Sequence, residues 1–120
     1  MLIEFIKPDF DFQDERGSLT QLVHKGWKQV NFITSKSGAF RGDHYHIYNK
    51  EAFYIISGGF KLSLRHRLTN ETAEYNIKAG DFFVIHPNVI HSFLYTADTA
   101  LISMYNRGVE LANGQKDIQR

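Results

Sequence analysis

Polar and apolar residues alternate most regularly in the stretch FKLSLRHRL, from Phe60 to Leu68. In an extended chain Leu62 and Leu64 share one face with His66, whereas the intervening charged and polar residues face the other way. This alternation predicts a half-buried β-strand. His66 therefore occupies a position where an apolar residue is expected.

Other parts of the chain also predict strands. The stretch EAFYIIS, which starts at Glu51, is a nearly continuous apolar run between turn residues, so we expect a strand covered on both faces. Pro8 and the acidic, aromatic stretch DFDFQDERG predict a turn or loop in the N-terminal part. Further short strands are predicted in MLIEFI, SLTQLV, KQVNFITS, TAEYNI, FFVI, HSFLYT and ALISMY. With hardly any helical period, the pattern implies an all-β sandwich or barrel.

The length of 120 residues indicates a single domain with one hydrophobic core. We expect an N-terminal strand segment over 1–27, a core over about 28–106 and a polar tail over 107–120. The tail is compatible with a helical turn, an arm that crosses to a partner, or a frayed end.

Charge and composition narrow the possible partners. Lys and Arg number 14 against 13 Asp and Glu, a net charge of +1, so bulk electrostatics favours neither nucleic acid nor a membrane surface. The apolar runs are too short to span a bilayer. The chain has no cysteine and starts without a secretion signal, so we expect a cytoplasmic protein.

Four residues suggest one metal site. His44 and His46 are two positions apart, so in a strand both side chains point the same way. Glu51 follows after a short turn and shares the parity of the apolar Phe53, which places it towards the interior. His91 ends a later stretch, GDFFVIHPNVIH, which begins at Gly80. Imidazole and carboxylate ligands suit zinc, iron, manganese or nickel, and a chain without cysteine cannot form a thiolate site.

These stretches resemble the two motifs of the cupins, a family of small jelly-roll β-barrels. Gly38, His44, His46, Glu51 and Gly58 fit the first cupin motif without a gap. The second motif is matched at Gly80 and His91, and it departs from the family pattern at three positions, which are His86, Asn88 and Tyr95. None of these departures removes a ligand. The resemblance therefore implies a single-domain cupin jelly-roll β-barrel with one divalent metal ion, for which we expect zinc.

A narrower resemblance covers nearly the whole chain. The stretches DERGSLTQL, RGDHYH and NKEAFYIISG are similar to small cupins of bacterial surface-polysaccharide biosynthesis. One such group is the cupin domain of capsular-polysaccharide nucleotide-sugar epimerase/reductases, in which the two histidines of an RGDHYH-like stretch and a Glu hold zinc. The other is the WxcM-like dTDP-4-keto-6-deoxyhexose 3,4-ketoisomerases, whose Glu position is usually not acidic. Glu51 favours the first group, and the short chain favours the second.

Both groups imply proton removal next to the ketone of a nucleotide-linked keto-deoxy sugar. A divalent metal can assist as a Lewis acid. In the metal-dependent interpretation His66 is the first candidate base, or else a hydrogen-bonded histidine of the core. Tyr95 shares the inward parity of His91 and either donates to the substrate or packs in the core. If the site is metal-free, His44 and His46 become the general acid and base.

Arg41 precedes His44 and His46 in the sequence. In the resembling families the Arg at this position helps to build the sugar-nucleotide site, and a guanidinium group is well suited to bind a diphosphate or sugar hydroxyls. The families also imply a homodimer with the N-terminal strand at the interface. Two alternative functions stay open. One is a metal cupin dioxygenase or lyase with the same ligand set, and the other is a non-catalytic cupin that binds a sugar or another small molecule.

Overall fold

The structure is a computed structural model that describes residues 2–120. Met1, where the predicted first strand begins, lies outside these residues. Within them the secondary structure is entirely β-strand, turn and loop, in agreement with the all-β prediction. Residues 2–120 include no helix with the length and apolar character that crossing a membrane requires.

In the described residues, 2–120, eleven strands form three antiparallel sheets. A five-stranded sheet contains, in spatial order, β1 (Ile3–Phe5), β9 (Phe82–Ile85), β6 (Glu51–Ser57), β11 (Thr99–Tyr105) and β4 (Gln29–Ser35). A four-stranded sheet contains β5 (Phe40–His44), β10 (Val89–Tyr95), β7 (Gly59–His66) and β8 (Thr72–Lys78). The two remaining strands, β2 (Phe10–Asp14) and β3 (Gly17–Gln21), pair with each other as a hairpin.

The main core lies between the two large sheets. Aromatic rings occupy its centre, where Phe53 stacks on Phe83 at 5.3 Å and Phe60 lies 4.9 Å from Phe93, measured between ring centroids. Each fully buried side chain of this size contributes about 1.5 to 3 kcal/mol relative to an exposed one. The strand predicted in EAFYIIS is β6, flanked by β9 and β11 and buried along most of its length.

A second apolar cluster covers the outer face of the five-stranded sheet. Ala52, Phe82, Val84 and Met104 are buried there, and residues from the N-terminal part of the chain pack over them, namely Ile6, Leu22, Val23 and Trp27. The N-terminal segment therefore contributes packing to its own domain. The same strands consequently have apolar residues on both faces.

The prediction of a loop in DFDFQDERG is wrong for its first half, which forms β2. Phe12 pairs with Leu19 across the hairpin, and the predicted turn is confined to the residues between Asp14 and Gly17. The Asp14 carboxylate accepts hydrogen bonds from the backbone and side chain of Arg16, which closes that turn. Aspartate is unfavourable in most strands, but the aspartates of β2 lie in an exposed hairpin, where their side chains remain hydrated.

The tail folds back onto its own chain, so it is neither the helical turn nor the frayed end given above as alternatives. Tyr45 and Gln119 form a two-way backbone bridge, and the Asp117 side chain is fully buried. This contact places the tail beside the end of β5, where the predicted metal ligands are.

Candidate metal centre

His44 and His91 form a cross-strand pair between β5 and β10. Their ring centroids lie 4.6 Å apart. The register between these strands shifts next to this pair, because His91 pairs with His44 and Ser92 pairs with Gly42. Asp43 is therefore the extra residue of a β-bulge, a feature that changes the direction of the following side chain. The bulge directs His44 towards the interior.

Gly42 is required at this bulge for two reasons. Its φ of +110° lies in the region that favours glycine, and a Cβ atom there would stand 2.5 Å from the carbonyl oxygen of His91. The close approach of the two backbones thus depends on the absence of a side chain.

His46 lies beyond the end of β5 and is held by the tail. Its Nδ1–H donates to the carbonyl oxygen of Asp117 at 2.6 Å, and its Nε2 lies 3.1 Å from Oε1 of Glu51. Since a carbonyl oxygen only accepts, the Asp117 contact places a proton on Nδ1 and directs Nε2 towards the other site residues. His44 and His46 point to one site, with ring centroids 5.5 Å apart, as predicted, but the expectation that one strand carries both is wrong, since β5 ends at His44.

Glu51 reaches the histidines from the opposite sheet, at the start of β6. Its Oε1 is 3.1 Å from His46 Nε2 and 3.7 Å from His91 Nε2, and the residue is 4% exposed. The inward parity shared with Phe53 is confirmed, because Glu51 and Phe53 both lie beside His91, whereas Ala52 between them packs in the outer cluster.

The three histidines have the geometry of a metal-binding cluster. Each offers a ring nitrogen, and these nitrogens all lie within 4.8 Å of one another. His91 donates from Nδ1 to the carbonyl oxygen of Val89 at 3.1 Å, so its Nε2 is directed to the cluster. His91 Nε2 and His44 Nδ1 are buried polar atoms without a hydrogen-bond partner among residues 2–120. Buried imidazole nitrogens of this kind suit a divalent ion, and a backbone carbonyl on the opposite nitrogen is the usual way to orient a ligating histidine.

The surroundings give the three imidazoles different pKa values. Burial lowers the pKa of His91 to about 4 and also lowers the pKa of His44. Burial acts in the same direction on His46, but the hydrogen bond and negative charge of Glu51 outweigh it and raise the pKa of His46. His44 and His91 are therefore neutral at neutral pH, the state in which imidazole binds a metal.

A cavity of about 450 Å³ opens onto this cluster. His44, Glu51 and His91 line it, whereas His46 lies behind them. A larger and more open cavity of about 580 Å³ adjoins it and shares Phe40 and Arg41. Among residues 2–120 no histidine lines this larger cavity, so the imidazole cluster faces the smaller one.

Two further predicted residues, Arg41 and Tyr95, line the smaller cavity. Arg41 donates from Nε to the Ser35 hydroxyl at 2.8 Å. Tyr95 is 2% exposed and packs against Phe60, so its ring belongs to the core while one side borders the cavity. Burial raises the pKa of Tyr95, which keeps its hydroxyl protonated.

His66 lies elsewhere. It is the last residue of β7 and pairs with Val89, whereas Leu64 is the partner of His91. Its Nδ1 accepts hydrogen bonds from the backbone N–H groups of Leu68 and Thr69, so the ring closes a turn. Among residues 2–120, His66 is not part of the lining of the histidine cavity. The geometry therefore does not support His66 as the base.

Sequence reasoning missed four residues at the site. Tyr105 lines the cavity, and its ring meets that of His46 edge-to-face at 5.1 Å. Burial and the charge of Glu51 raise the pKa of Tyr105. Arg120 lines the same cavity, while Asn49 and Asp117 are fully buried beside it. Tyr105 is the last residue of the strand predicted in ALISMY. The alternation of side chains along that strand does not distinguish it from an ordinary core residue.

Comparison with known proteins identifies a family and several solved structures of similar fold. The profile of the family described as "Polysaccharide biosynthesis C-terminal domain" matches residues 12–109. None of the curated proteins matches the chain. Among solved structures, the capsular polysaccharide assembling protein CapF from Staphylococcus aureus is 27% identical with a TM-score of 0.67, over 92% of this chain and 31% of CapF. The chain thus spans about a third of the length of CapF.

Two further structures share the fold at lower identity. The sugar 3,4-ketoisomerase QdtA from Thermoanaerobacterium thermosaccharolyticum, solved with TDP, is 21% identical with a TM-score of 0.72, over 87% of this chain and 80% of QdtA. The dTDP-4-dehydrorhamnose 3,5-epimerase from Sulfolobus tokodaii is 17% identical with a TM-score of 0.71, over 88% of this chain and 75% of the epimerase. The fold is therefore the cupin jelly roll that the sequence motifs predict. Since the matched region includes nearly all strands and the whole histidine cluster, the chain belongs to the polysaccharide biosynthesis C-terminal domain family.

Proposed function

We propose that this protein is a metal-dependent isomerase or epimerase that acts on a nucleotide-linked keto-deoxy sugar by removing a proton next to the ketone. One observation carries the proposal. Three histidines and a buried glutamate converge at the end of a cavity, and two of the imidazole nitrogens lack any hydrogen-bond partner among residues 2–120.

The donor set suits one divalent ion per chain, and zinc is the ion we propose. His44, His46, His91 and Glu51 would hold it, because the three histidines offer nitrogens within 4.8 Å of one another and Glu51 Oε1 lies 3.1 Å from His46 Nε2 and 3.7 Å from His91 Nε2. The ion would replace the proton that lies between His46 Nε2 and Glu51. Iron, manganese or nickel would accept the same ligands. Bound there, the ion would supply Lewis-acid polarisation of the ketone oxygen, which would acidify the neighbouring C–H group.

The protein's own residues have separate tasks in this reaction. Arg41 borders the cavity with a fixed guanidinium that can bind the polar part of the substrate. Tyr105 stays protonated, because burial and the charge of Glu51 raise its pKa, so its hydroxyl donates to a substrate oxygen. Tyr95 takes the proton from the carbon next to the ketone in its ionised form, which the raised pKa makes scarce but strongly basic, and returns it to another face or carbon. The apolar walls, including Phe53 and Phe93, limit water near the reacting carbon.

The similar proteins support the substrate class. QdtA is a sugar 3,4-ketoisomerase that was solved with TDP, the Sulfolobus protein is a dTDP-sugar epimerase, and CapF assembles capsular polysaccharide. The first two names state a reaction on a sugar, and the two adjoining cavities, of about 450 and 580 Å³, leave room for an elongated ligand such as a nucleotide sugar.

Solvent-proton exchange tests the proposal. We would incubate metal-loaded protein with TDP-4-keto-6-deoxyglucose in D₂O and follow the sugar signals by proton NMR. Loss of a signal next to the ketone is expected, and a signal that persists despite saturable binding would instead identify a non-catalytic binding protein. Oxygen consumption in the same assay would identify a dioxygenase.

A second candidate is supported by the unequal pKa values of the histidines. His44 faces the cavity with a lowered pKa and His46 lies against Glu51 with a raised one, a combination typical of a base and an acid. In a metal-free ketoisomerase His44 would accept the substrate proton. Exchange that survives metal removal with a chelator would favour this second candidate.

We also propose a homodimer, on the basis of large apolar side chains that remain exposed in the single chain. Val30 and Phe32 project from the edge strand β4, and Phe12 and Leu19 project from the hairpin. Molar mass measured by light scattering tests this directly, since a monomeric mass would contradict it.

A further inference from the structure

We propose that the tail segment 117–120 forms part of the substrate site and provides Arg120, which acts together with Arg41 to bind a phosphoryl anion. The inference rests on the proposed function in one respect, because it identifies the anion as the diphosphate of the nucleotide-linked substrate. The geometry that supports it is independent of the metal and of the reaction.

The tail is fixed in place by a buried carboxylate. Asp117 accepts hydrogen bonds from the backbone N–H groups of Ile47, Tyr48 and Asn49 at 2.9 to 3.0 Å, and from the Asn49 side chain at 2.9 Å. Asn49 in turn bonds to the backbone of Arg107 and Gly108. Such a set of bonds to one buried group gives the tail a defined position relative to the loop after His46.

Arg120 is positioned by this anchor. Gln119 exchanges backbone hydrogen bonds with Tyr45, and Nη1 of Arg120 donates to the carbonyl oxygen of Gly42 at 3.3 Å. The guanidinium thus lies over the bulge of β5 and lines the histidine cavity. Its charge also contributes to lowering the pKa of His44, which agrees with this proximity.

Arg41 lies next to Gly42 in the sequence and lines the same cavity. Two of its nitrogens are engaged, Nε by the Ser35 hydroxyl at 2.8 Å and Nη2 by the Thr34 carbonyl at 3.2 Å. These bonds restrict the guanidinium without neutralising it. Its position where the two cavities meet suits contact with the middle of an elongated ligand.

The charges of the two arginines are not balanced by the protein. Neither takes part in an ion pair with a carboxylate among residues 2–120. Within the described part of the chain, Glu51 is the one acidic residue of the cavity lining, and the histidines already engage it. Two guanidinium groups at one cavity repel each other unless an anion lies between or beside them. A diphosphate offers several oxygens in the geometry that guanidinium groups bind best.

Calorimetric titration of the metal-loaded protein tests the proposal, with inorganic pyrophosphate and TDP as probes. Arg120→Gln should weaken both probes about tenfold or more, since a charge-assisted hydrogen bond is removed. Lys116→Gln is the matched control, because it removes one positive charge from the exposed part of the same tail, and affinity within about twofold of wild type is expected. Metal content measured on each variant checks that the histidine cluster is intact.

Asp117→Ala provides a second route to the same result. If Asp117 positions Arg120, this variant should weaken pyrophosphate binding, and adding Arg120→Gln to it should cause little further loss. A double variant that loses the full sum of both effects would contradict the positioning role. Should Asp117→Ala fail to fold, Arg120→Gln alone still decides the proposal.

The outcomes separate this inference from the proposed function. Wild-type affinity in Arg120→Gln, or no binding of either probe to the wild-type protein at millimolar concentration, overturns the anion site. Weakened binding in Arg120→Gln supports the site even if the protein exchanges no substrate proton with solvent. In that case the isomerase proposal fails and the anion site stands.

Discussion

Gly42 and His91 are in direct backbone contact, because a Cβ atom on Gly42 would lie 2.5 Å from the His91 carbonyl oxygen. This contact joins the two sequence motifs of the site, since Gly42 belongs to the strand that carries His44 and His91 belongs to β10. The bulge at Asp43 and the cross-strand pairing of the two histidines both depend on it.

Gly42→Ala should therefore reduce both stability and metal affinity. The positive φ and the clash together cost about 1 to 3 kcal/mol of unfolding free energy, and separation of β5 from β10 moves His44 away from His91. Denaturant unfolding and metal titration measure the two effects. Gly38→Ala is the control, because Gly38 also has a positive φ of +87° but nothing lies within 4 Å of its Cβ position. Equal losses in the two variants would show that the contact with His91 has no special role.

Glu51→Gln should lower metal affinity by about tenfold or more while the fold is retained, since a carboxamide keeps the shape but loses the negative charge. Competition with a chromophoric chelator measures the affinity. Glu74→Gln serves as the control, because Glu74 is an exposed residue of β8 that pairs only with Lys61 at 3.6 Å among the ion pairs of residues 2–120. Unchanged affinity in Glu51→Gln would exclude Glu51 as a ligand.

His66→Asn should leave both metal content and solvent-proton exchange close to wild type. The ring nitrogen of His66 accepts hydrogen bonds from Leu68 and Thr69, and an Asn oxygen can take over that role in the turn. Proton NMR exchange assays and mass spectrometry of the metal check this expectation. Complete loss of exchange with metal retained would restore His66 as the base.

Asp117→Ala should destabilise the protein by about 2 to 4 kcal/mol, because three backbone N–H groups near a buried loop lose their acceptor. Thermal and denaturant unfolding measure the loss. Asp14→Ala is the comparison, since Asp14 pairs with the exposed Arg16 in the hairpin and should contribute about 1 kcal/mol or less. A loss in Asp117→Ala no greater than in Asp14→Ala would contradict the role of the carboxylate as an anchor.

Local spacing explains what could be predicted from the sequence. The alternation of a strand predicts that His44 and His46 share one side and gives Glu51 the parity of Phe53. The two histidines do converge, but β5 ends at His44, so the bulge at Asp43 and the contact of His46 with the tail set their directions. The resemblance in motif spacing adds His91. The all-β character also follows, because apolar alternation and frequent turn residues recur along most of the chain.

Other features depend on contacts that local spacing does not contain. Parity predicts the face of His66 but not its place along the strand, and β7 ends at that residue, two positions beyond the partner of His91. Asp117 bonds to residues about 70 positions earlier in the chain, within a tail that has no periodic pattern. The strand β2 was missed because its aspartates are strand breakers in buried sheets, whereas this ribbon is exposed.

The most direct measurement of the central claim is metal stoichiometry by mass spectrometry on untagged protein, purified under anaerobic conditions, with wild type beside His91→Ala. The account predicts about one divalent ion per wild-type chain and little in the variant, because His91 contributes a buried nitrogen that otherwise has no partner among residues 2–120. Wild-type protein that contains no metal and cannot be reloaded with zinc, iron, manganese or nickel would contradict it.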